Sequence, residues 1–194
     1  MPWEKSFDED AVLDRAMKLF ITKGYEATSM ADLLEATGLN KGSLYNAFGS
    51  KKELFARAFV HYEQDKRKAG LKELAALDQP VAAIIRMFDD LVAPPGSSDI
   101  AMRGCLLVNT AQDLPNHDAD MERTVKEGLG DFEAFFVEQL TLAKSRGQVS
   151  KKLDIARTAR GLLALVVGIR VLERGAFDQE QLASIRDQAV ALLE

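Results

Sequence analysis

Apolar residues recur every three or four positions along most of the chain, and this spacing predicts amphipathic helices. No alternating strand pattern, internal repeat or low-complexity tract interrupts the series. The sequence therefore predicts an all-α fold with about nine helices. They cover approximately residues 8–23, 30–37, 41–48, 51–75, 80–92, 100–113, 117–146, 155–174 and 178–193.

Residues 28–54 predict two short helices joined by a tight turn and followed at once by a third. Thr28 or Ser29 is a suitable N-cap for the first helix. Gly38 ends that helix where the turn needs a positive φ angle. Asn40 is a suitable N-cap for the second helix, whose Leu44 and Phe48 lie four residues apart and face inward. This order of helix, glycine turn and helix is typical of a helix-turn-helix.

The outward face of the second helix carries short polar side chains and one tyrosine. Its members are Lys41, Gly42, Ser43, Tyr45 and Asn46. A recognition helix presents such residues to base edges in the major groove, and small residues allow close approach. On pattern alone, a helical hairpin with a solvated outer face remains the alternative.

A third helix is predicted to start at Ser50, where Ser50 and Glu53 have the S-x-x-E spacing of a capping box. Its N-terminus, with Lys51 beside it, is a suitable site for a phosphate. Basic residues outnumber acidic ones over residues 41–72, although the whole chain has a formal net charge of −5. Because phosphate contacts dominate DNA affinity, the local surplus matters more than the total. We interpret the basic residues at 66–72 as a solvated helix face.

Residues 11–60 resemble the N-terminal domain of the TetR/AcrR family of transcriptional regulators. The matching segments are AVLDRAMKLFITKGYEATSM, ADLLEATGL and NKGSLYNAFGSKKELF. Ala47 departs from the family pattern, which often has a histidine or aromatic residue there. The resemblance implies a helix-turn-helix DNA-binding domain at 1–50 and a ligand-binding and dimerisation domain at 51–194. The implied DNA-binding residues are Thr28, Ser29, Lys41, Gly42, Ser43, Tyr45, Asn46 and Lys51.

The last two predicted helices are more apolar than a surface helix requires. They either close the core of the monomer or pair with their counterparts in a C2 dimer as a four-helix bundle. The resemblance favours the homodimer, because family members dimerise through these helices. The candidate interface residues are Leu162, Leu165, Val166, Ile169, Leu172, Leu182, Ile185 and Ala189.

The resemblance also implies a pocket for a small-molecule effector, enclosed by the middle helices. Candidate lining residues are Phe59, Tyr62, Met87, Phe88, Met102, Cys105, Leu106, Asn109, Phe132, Phe135 and Phe136. Asn109, Asp113 and His117 are candidates for orienting the ligand. The alternative is that methionines and phenylalanines at helical spacing form an ordinary core. Cys105, beside Arg103, is either a reactive thiol that senses oxidants or electrophiles, or an inert small hydrophobe.

Composition narrows the function classes. A single cysteine excludes an intrachain disulfide. With only two histidines besides, few ligands remain for a metal site, so we expect no cofactor. No signal peptide or membrane-spanning run is visible, which predicts a cytoplasmic protein. We expect a dimeric, ligand-responsive repressor that binds a pseudo-palindromic double-stranded DNA operator and is not an enzyme. The alternatives are an all-α enzyme, which no phosphate loop, nucleophile elbow or HExxH motif supports, and an interaction module without specific DNA binding.

Overall fold

The computed structural model describes residues 7–94 and 104–194. Within these ranges the chain is helical and forms no strand, which confirms the predicted all-α class. The helices are α1 (Glu9–Lys23), α2 (Met30–Thr37), α3 (Lys41–Phe48), α4 (Lys51–His61), α5 (Lys68–Ala75), α6 (Pro80–Val92), α7 (Leu106–Gln112), α8 (Ala119–Ser145), α9 (Ile155–Leu172) and α10 (Gln179–Ala191). A π-helical turn (Tyr62–Arg67) joins α4 to α5, so the described residues form nine helical stretches besides a short 3-10 turn (Leu114–Asn116).

The chain divides into two compact units, and the boundary falls between Arg67 and Lys68. In the N-terminal unit, α1 packs on α2 and α4, and α3 packs on α4. Aromatic rings fill the centre: the Phe55 ring lies 5.0 Å from that of Phe20, edge to face, and 4.7 Å from that of Tyr25. Such pairs stabilise the interior beyond the area they bury. The short helices α2 and α3, which pack on α1 and α4, are therefore held on one shared core.

A polar side chain caps the start of each helix in the N-terminal unit: Asp8, Ser29, Asn40 and Ser50. Ser29 and Asp32 form a complete capping box. The capping box predicted for Ser50 and Glu53 is wrong, because the Ser50 amide already donates to the Phe48 carbonyl at 2.9 Å. The Glu53 carboxylate instead accepts from the Ser50 hydroxyl at 2.8 Å. Only the serine half of that box forms, in which the Ser50 hydroxyl oxygen accepts the Glu53 amide at 3.2 Å.

The long helix predicted over residues 51–75 is helical throughout, but its backbone widens into the π-helical turn. Within that turn, Nη2 of Arg67 lies 2.7 Å from Oε2 of Glu63, and both side chains are buried. The sequence gives no signal for this change of hydrogen-bond register, because π-turns have no simple residue signature. The compact N-terminal unit thus extends well beyond residue 50, and the functional division expected there stays a prediction.

The C-terminal unit has its core among α6, α8, α9 and α10. The Phe88 and Phe136 rings stack at 6.2 Å, and Phe135 meets Phe136 at 5.5 Å. Asp118, Asp154 and Asp178 cap α8, α9 and α10. None of the helices described here combines the length and the apolar character that crossing a membrane requires.

The helix predicted over residues 100–113 is shorter than expected in the described part of the chain. It begins only at Leu106, because Gly104 has a φ of +109° and Cys105 is extended. The Gly104 amide donates to Oε1 of Glu173 at 2.9 Å, and Nη1 of Arg170 donates to the same oxygen at 2.9 Å. This contact from the end of α9 holds the backbone out of helical geometry, and a local pattern cannot reveal it.

Candidate nucleic-acid interface

The helix α3 separates an apolar face from a polar one, as its sequence predicts. Leu44 and Phe48 are buried, at 0% and 3% exposure. Tyr45 is 41% exposed. The opposite face also exposes Lys41, Gly42 and Asn46, whereas Ser43 is half-buried. An exposed row of one cation, one phenol and one amide can make both phosphate and base-edge contacts.

Two residues fix where α3 begins. Gly38 ends α2 in the left-handed region with a φ of +71°, and its amide donates to the Leu34 carbonyl at 3.0 Å. Oδ1 of Asn40 then accepts the Ser43 amide at 2.8 Å. The two caps leave a short turn, so α2 and α3 form the predicted helix-turn-helix.

Thr28 and Ser29 occupy different environments before α2. The Thr28 side chain is 1% exposed, and its hydroxyl donates to the Gly24 carbonyl at 2.6 Å. Ser29 is exposed and caps α2. Thr28 therefore holds the loop after α1, and its side chain does not reach the surface. Ser29 remains at a helix N-terminus, where backbone amides favour an anion.

Only two residues, Gly49 and Ser50, separate the end of α3 from the start of α4. Gly49 ends α3 with a φ of +73°, and a Cβ atom there would collide with the Glu53 carboxylate. Lys51, in the first turn of α4, places its Nζ 4.4 Å from the centre of the Tyr25 ring. The ring holds the ammonium by a cation–π interaction. A cation is thus kept beside the helix N-terminus.

Two pKa shifts accompany this surface. Nζ of Lys23 lies 2.6 Å from Oδ2 of Asp32. That hydrogen bond, joined by those from the Ser29 hydroxyl and amide, holds the pKa of Asp32 well below its usual range. Burial raises the pKa of Tyr25, and the Glu26 carboxylate adds to the rise. At neutral pH Asp32 is therefore ionised and Tyr25 is a neutral phenol.

Two arginines that the sequence did not single out bind the ends of the two short helices. Nη1 of Arg15 donates to the Thr37 carbonyl, the last residue of α2, at 2.8 Å. Nη1 of Arg57 donates to the Ala47 carbonyl, near the end of α3, at 3.1 Å. Both contacts join residues far apart in sequence, so helical periodicity carries no signal for them.

The predicted pocket residues divide between the two units. Phe59 is buried in the N-terminal unit, and Tyr62 begins the π-helical turn. The C-terminal unit buries Met87, Phe88, Cys105, Leu106, Phe135 and Phe136, and leaves Asn109 and Phe132 half-buried. Met102 and Arg103 lie outside the described residues. Oδ1 of Asn109 accepts from Nη1 of Arg174 at 2.9 Å.

None of these candidates lines the open depression between the start of α6 and the C-terminus. That depression is formed by Val81, Ile85, Gly147, Gln148, Val149, Ser150, Val190, Leu193 and Glu194. Asp113 and His117, the other polar candidates, lie 3.9 Å apart between Oδ2 and Nε2. The effector pocket therefore stays a prediction. In the described residues no group of three or more side chains is arranged to hold a metal ion.

Five of the eight predicted interface residues are buried within the single chain: Leu162, Val166, Ile169, Leu182 and Ala189. A side chain with almost no exposed surface cannot contact a second protomer directly, so these five belong to the core. Leu165, Leu172 and Ile185 are half-buried. Beside them Val171 and Leu192 are 37% and 39% exposed.

Comparisons with known proteins agree with this geometry. Residues 12–58 match the family described as bacterial regulatory proteins, tetR family, and residues 80–189 match the tetracyclin repressor-like C-terminal domain. The HTH-type transcriptional repressor ComR of Escherichia coli strain K12 is 30% identical over 97% of this chain and 90% of its own length. The uncharacterized HTH-type transcriptional regulator YezE of Bacillus subtilis strain 168 is 29% identical over 98% of each chain.

A solved structure gives the same result. A cysteine-substituted form of the TetR family transcriptional regulator CifR, complexed with 26-base-pair double-strand operator DNA, superimposes with a TM-score of 0.78. It is 28% identical, over 96% of this chain and 97% of that chain. Matches to both halves and full-length similarity to a named repressor establish the relationship. The chain belongs to the TetR family of bacterial transcriptional regulators.

Proposed function

We propose that this TetR-family regulator is a homodimeric repressor that binds a pseudo-palindromic double-stranded DNA operator and leaves it when a small-molecule effector binds. The observation that carries the proposal is the exposed polar face of α3 on the buried base of Leu44 and Phe48. We assign DNA binding to residues 1–50 and effector binding and dimerisation to residues 51–194.

On this proposal, the exposed face of α3 enters the major groove. Asn46 carries an amide suited to a base edge, and Tyr45 and Lys41 suit base or phosphate contacts. Gly42 has no side chain, and Ser43 has a short one, so the backbone can approach the groove closely. These contacts determine sequence preference, because only base edges distinguish one sequence from another.

Phosphate contacts come from two helix N-termini in the proposal. Ser29 presents the start of α2, and Lys51 lies at the start of α4 with its ammonium held over Tyr25. The partial positive charge of a helix N-terminus favours an anion. Thr28 is left with a structural role, because its hydroxyl is already bonded to Gly24.

The proposed dimer forms through α9 and α10 of each protomer. Val171 and Leu192 would contact the partner together with the half-buried Leu165, Leu172 and Ile185. Two copies of α3 would then enter successive major grooves, about 34–36 Å apart. Sedimentation of Val171→Asp tests this: we expect monomers where the wild-type protein gives dimers. A variant that stays dimeric would place the interface elsewhere.

Effector binding is proposed to act through the long helical stretch from α4 to α5, which begins at the DNA-binding residues. A ligand can shift the DNA-binding equilibrium only by its differential affinity for the two states. A ligand that binds tightly yet leaves operator affinity unchanged would refute this step. Candidate ligands are best screened by their release of DNA, since the pocket itself is a prediction.

The main test is a fluorescence-anisotropy titration against DNA from immediately upstream of the protein's own gene. Scrambled DNA of equal length serves as the reference, at several salt concentrations. We expect preferential binding that weakens steeply with salt. Tyr45→Ala should weaken operator binding by about 10- to 100-fold, the usual range for a base contact.

Two further variants make the test specific. Lys51→Ala should weaken binding to operator and scrambled DNA alike and reduce the salt slope by about one. Lys151→Ala removes an exposed lysine from the loop before α9 and should change neither the affinity for DNA nor the salt slope. Equal binding by wild-type protein and Tyr45→Ala would refute the role of α3. No binding to any DNA at low salt would favour an enzyme or an interaction module.

A further inference from the structure

We propose that Arg57 is a positioning residue that fixes the orientation of the recognition helix α3 and so sets the preference for operator over other DNA. The inference rests on the proposed function, because it concerns how α3 meets DNA. Arg57 itself is assigned no contact with a base. It acts from α4, through the end of α3.

One guanidinium group makes three contacts here. Nη1 donates to the Ala47 carbonyl at 3.1 Å. Nη2 pairs with Oε1 of Glu9, the first residue of α1. The guanidinium carbon also lies 4.8 Å from the centre of the Phe48 ring, which is the larger buried anchor of α3. Arg57 therefore joins α1, α3 and α4 at a single point.

These contacts meet α3 where it is otherwise weakly held. The helix has eight residues and no basic side chain in its last turn. Its last carbonyls have no partner within the helix, as at any helix C-terminus. Gly49 donates to Tyr45, and Ser50 donates to Phe48, so these two carbonyls are satisfied by the turn. Arg57 binds one of the two carbonyls between them, that of Ala47, and supplies the positive charge that the end of a helix dipole favours.

The position of this end of α3 matters for base contacts more than for phosphate contacts. Tyr45 and Asn46 directly precede Ala47, so a tilt of the helix end moves both side chains in the groove. A hydrogen bond to a base edge requires fixed geometry, whereas attraction to phosphates tolerates displacement. Loss of the Arg57 contacts should therefore reduce specific binding and spare non-specific binding.

A competing role for Arg57 is a direct phosphate contact, since its side chain is 40% exposed. The two roles respond differently to Arg57→Lys. Lysine keeps the positive charge but lacks the planar fork that can bond a carbonyl and a carboxylate while stacking on a ring. A phosphate contact would survive this change, whereas the positioning role would not.

The experiment titrates operator and scrambled DNA of equal length with full-length wild-type protein, Arg57→Lys and Arg57→Met at several salt concentrations. Arg15→Gln is the matched control, because Arg15 binds the end of α2 in the same way, through the Thr37 carbonyl. For Arg57→Lys we expect an operator affinity about tenfold lower, as for the loss of a charged hydrogen bond, with an unchanged salt slope. Affinity for scrambled DNA should change less than about twofold.

Thermal unfolding of the same proteins separates positioning from general stability. Arg15→Gln should lower the midpoint about as much as Arg57→Lys does but keep the operator preference. The inference is overturned if Arg57→Lys keeps the wild-type preference. It is also overturned if Arg57→Met loses affinity equally for both DNAs with a salt slope lower by about one, while Arg57→Lys restores it. If wild-type protein shows no operator preference, the proposed function fails, and this inference fails with it.

Discussion

The helices α3 and α9 are built in the same way, but their exposed faces differ in how clearly they indicate a binding partner. Each buries one apolar stripe, and each leaves a second face outside the core of its unit. On α3 that face carries Lys41, Tyr45 and Asn46, whose chemistry indicates a nucleic acid. On α9 the exposed residues after Arg160 are Ala164 and Val171, which indicate only another apolar surface. The side chains of the N-terminal unit therefore indicate a class of partner, and those of the C-terminal unit do not.

The largest test of this comparison is truncation of one buried ring in each unit. Phe20 and Phe136 both have 0% exposure. Replacing either with alanine should cost about 3–5 kcal/mol of unfolding free energy. If the units unfold separately, Phe20→Ala will lose amide-exchange protection in α1–α4, and Phe136→Ala in α6–α10.

The functional readouts should divide in the same way. Phe20→Ala should weaken operator binding without changing self-association. Phe136→Ala should weaken self-association, and it should weaken operator binding only through the loss of dimers. Hydrogen exchange measured by mass spectrometry resolves both units in one experiment. Equal loss of protection across both units in either variant would show that they unfold as one, and the comparison would then lose its physical basis.

Most of the N-terminal unit was predictable because its signals are local. The bounds of α2 and α3 follow from Ser29, Gly38 and Asn40, each of which acts within four residues of itself. Caps and positive-φ glycines work through short-range hydrogen bonds, so the sequence records them directly. The polar face of α3 follows from the same helix bounds, so the sequence alone is enough to predict the candidate interface.

The missed features depend on contacts between distant residues. Glu173 holds Gly104 from 69 positions away and shortens the start of α7. Arg57 reaches Glu9 and Ala47 from another helix. In α9, periodicity identifies the apolar residues but does not separate those that pack within the protomer, such as Leu162, from those left to a partner. That division is decided by packing, which a single sequence does not specify.

A smaller effect is expected at the turn between α3 and α4. Gly49→Ala forces a side chain into a backbone with a φ of +73° and against the Glu53 carboxylate. We expect a loss of about 1–3 kcal/mol of stability, the usual cost of a strained backbone conformation. Operator affinity should fall as well, because the turn spaces α3 from the N-terminus of α4. Urea unfolding and anisotropy measure the two effects, and an unchanged protein would show that the turn relaxes freely.

The matched glycine in the C-terminal unit should behave in the opposite way. Gly130 is exposed inside α8, and a Cβ atom there would meet nothing within 4 Å. Gly130→Ala should therefore stabilise the protein by about 0.5–1 kcal/mol through helix propensity. Operator affinity should not change. A destabilised variant would indicate that the exposed side of α8 at this position is covered in solution.

The smallest effect concerns the charge network beside α2. The Lys23 hydrogen bond, followed by those from Ser29, lowers the pKa of Asp32 in the folded state. The unfolded value is about 3.9, so the stabilisation is fully present above about pH 4 and is lost as the pH falls through the folded-state pKa. Asp32→Asn should therefore lie below wild type in thermal midpoint at pH 7, and the gap should narrow below about pH 4. Lys23→Met removes the largest cause of the shift and should show a weaker narrowing. A gap that stays constant down to pH 3 would mean that these contacts do not keep the Asp32 carboxylate ionised. The local hydrogen bonds of the N-terminal unit would then determine its geometry without stabilising the charge of Asp32.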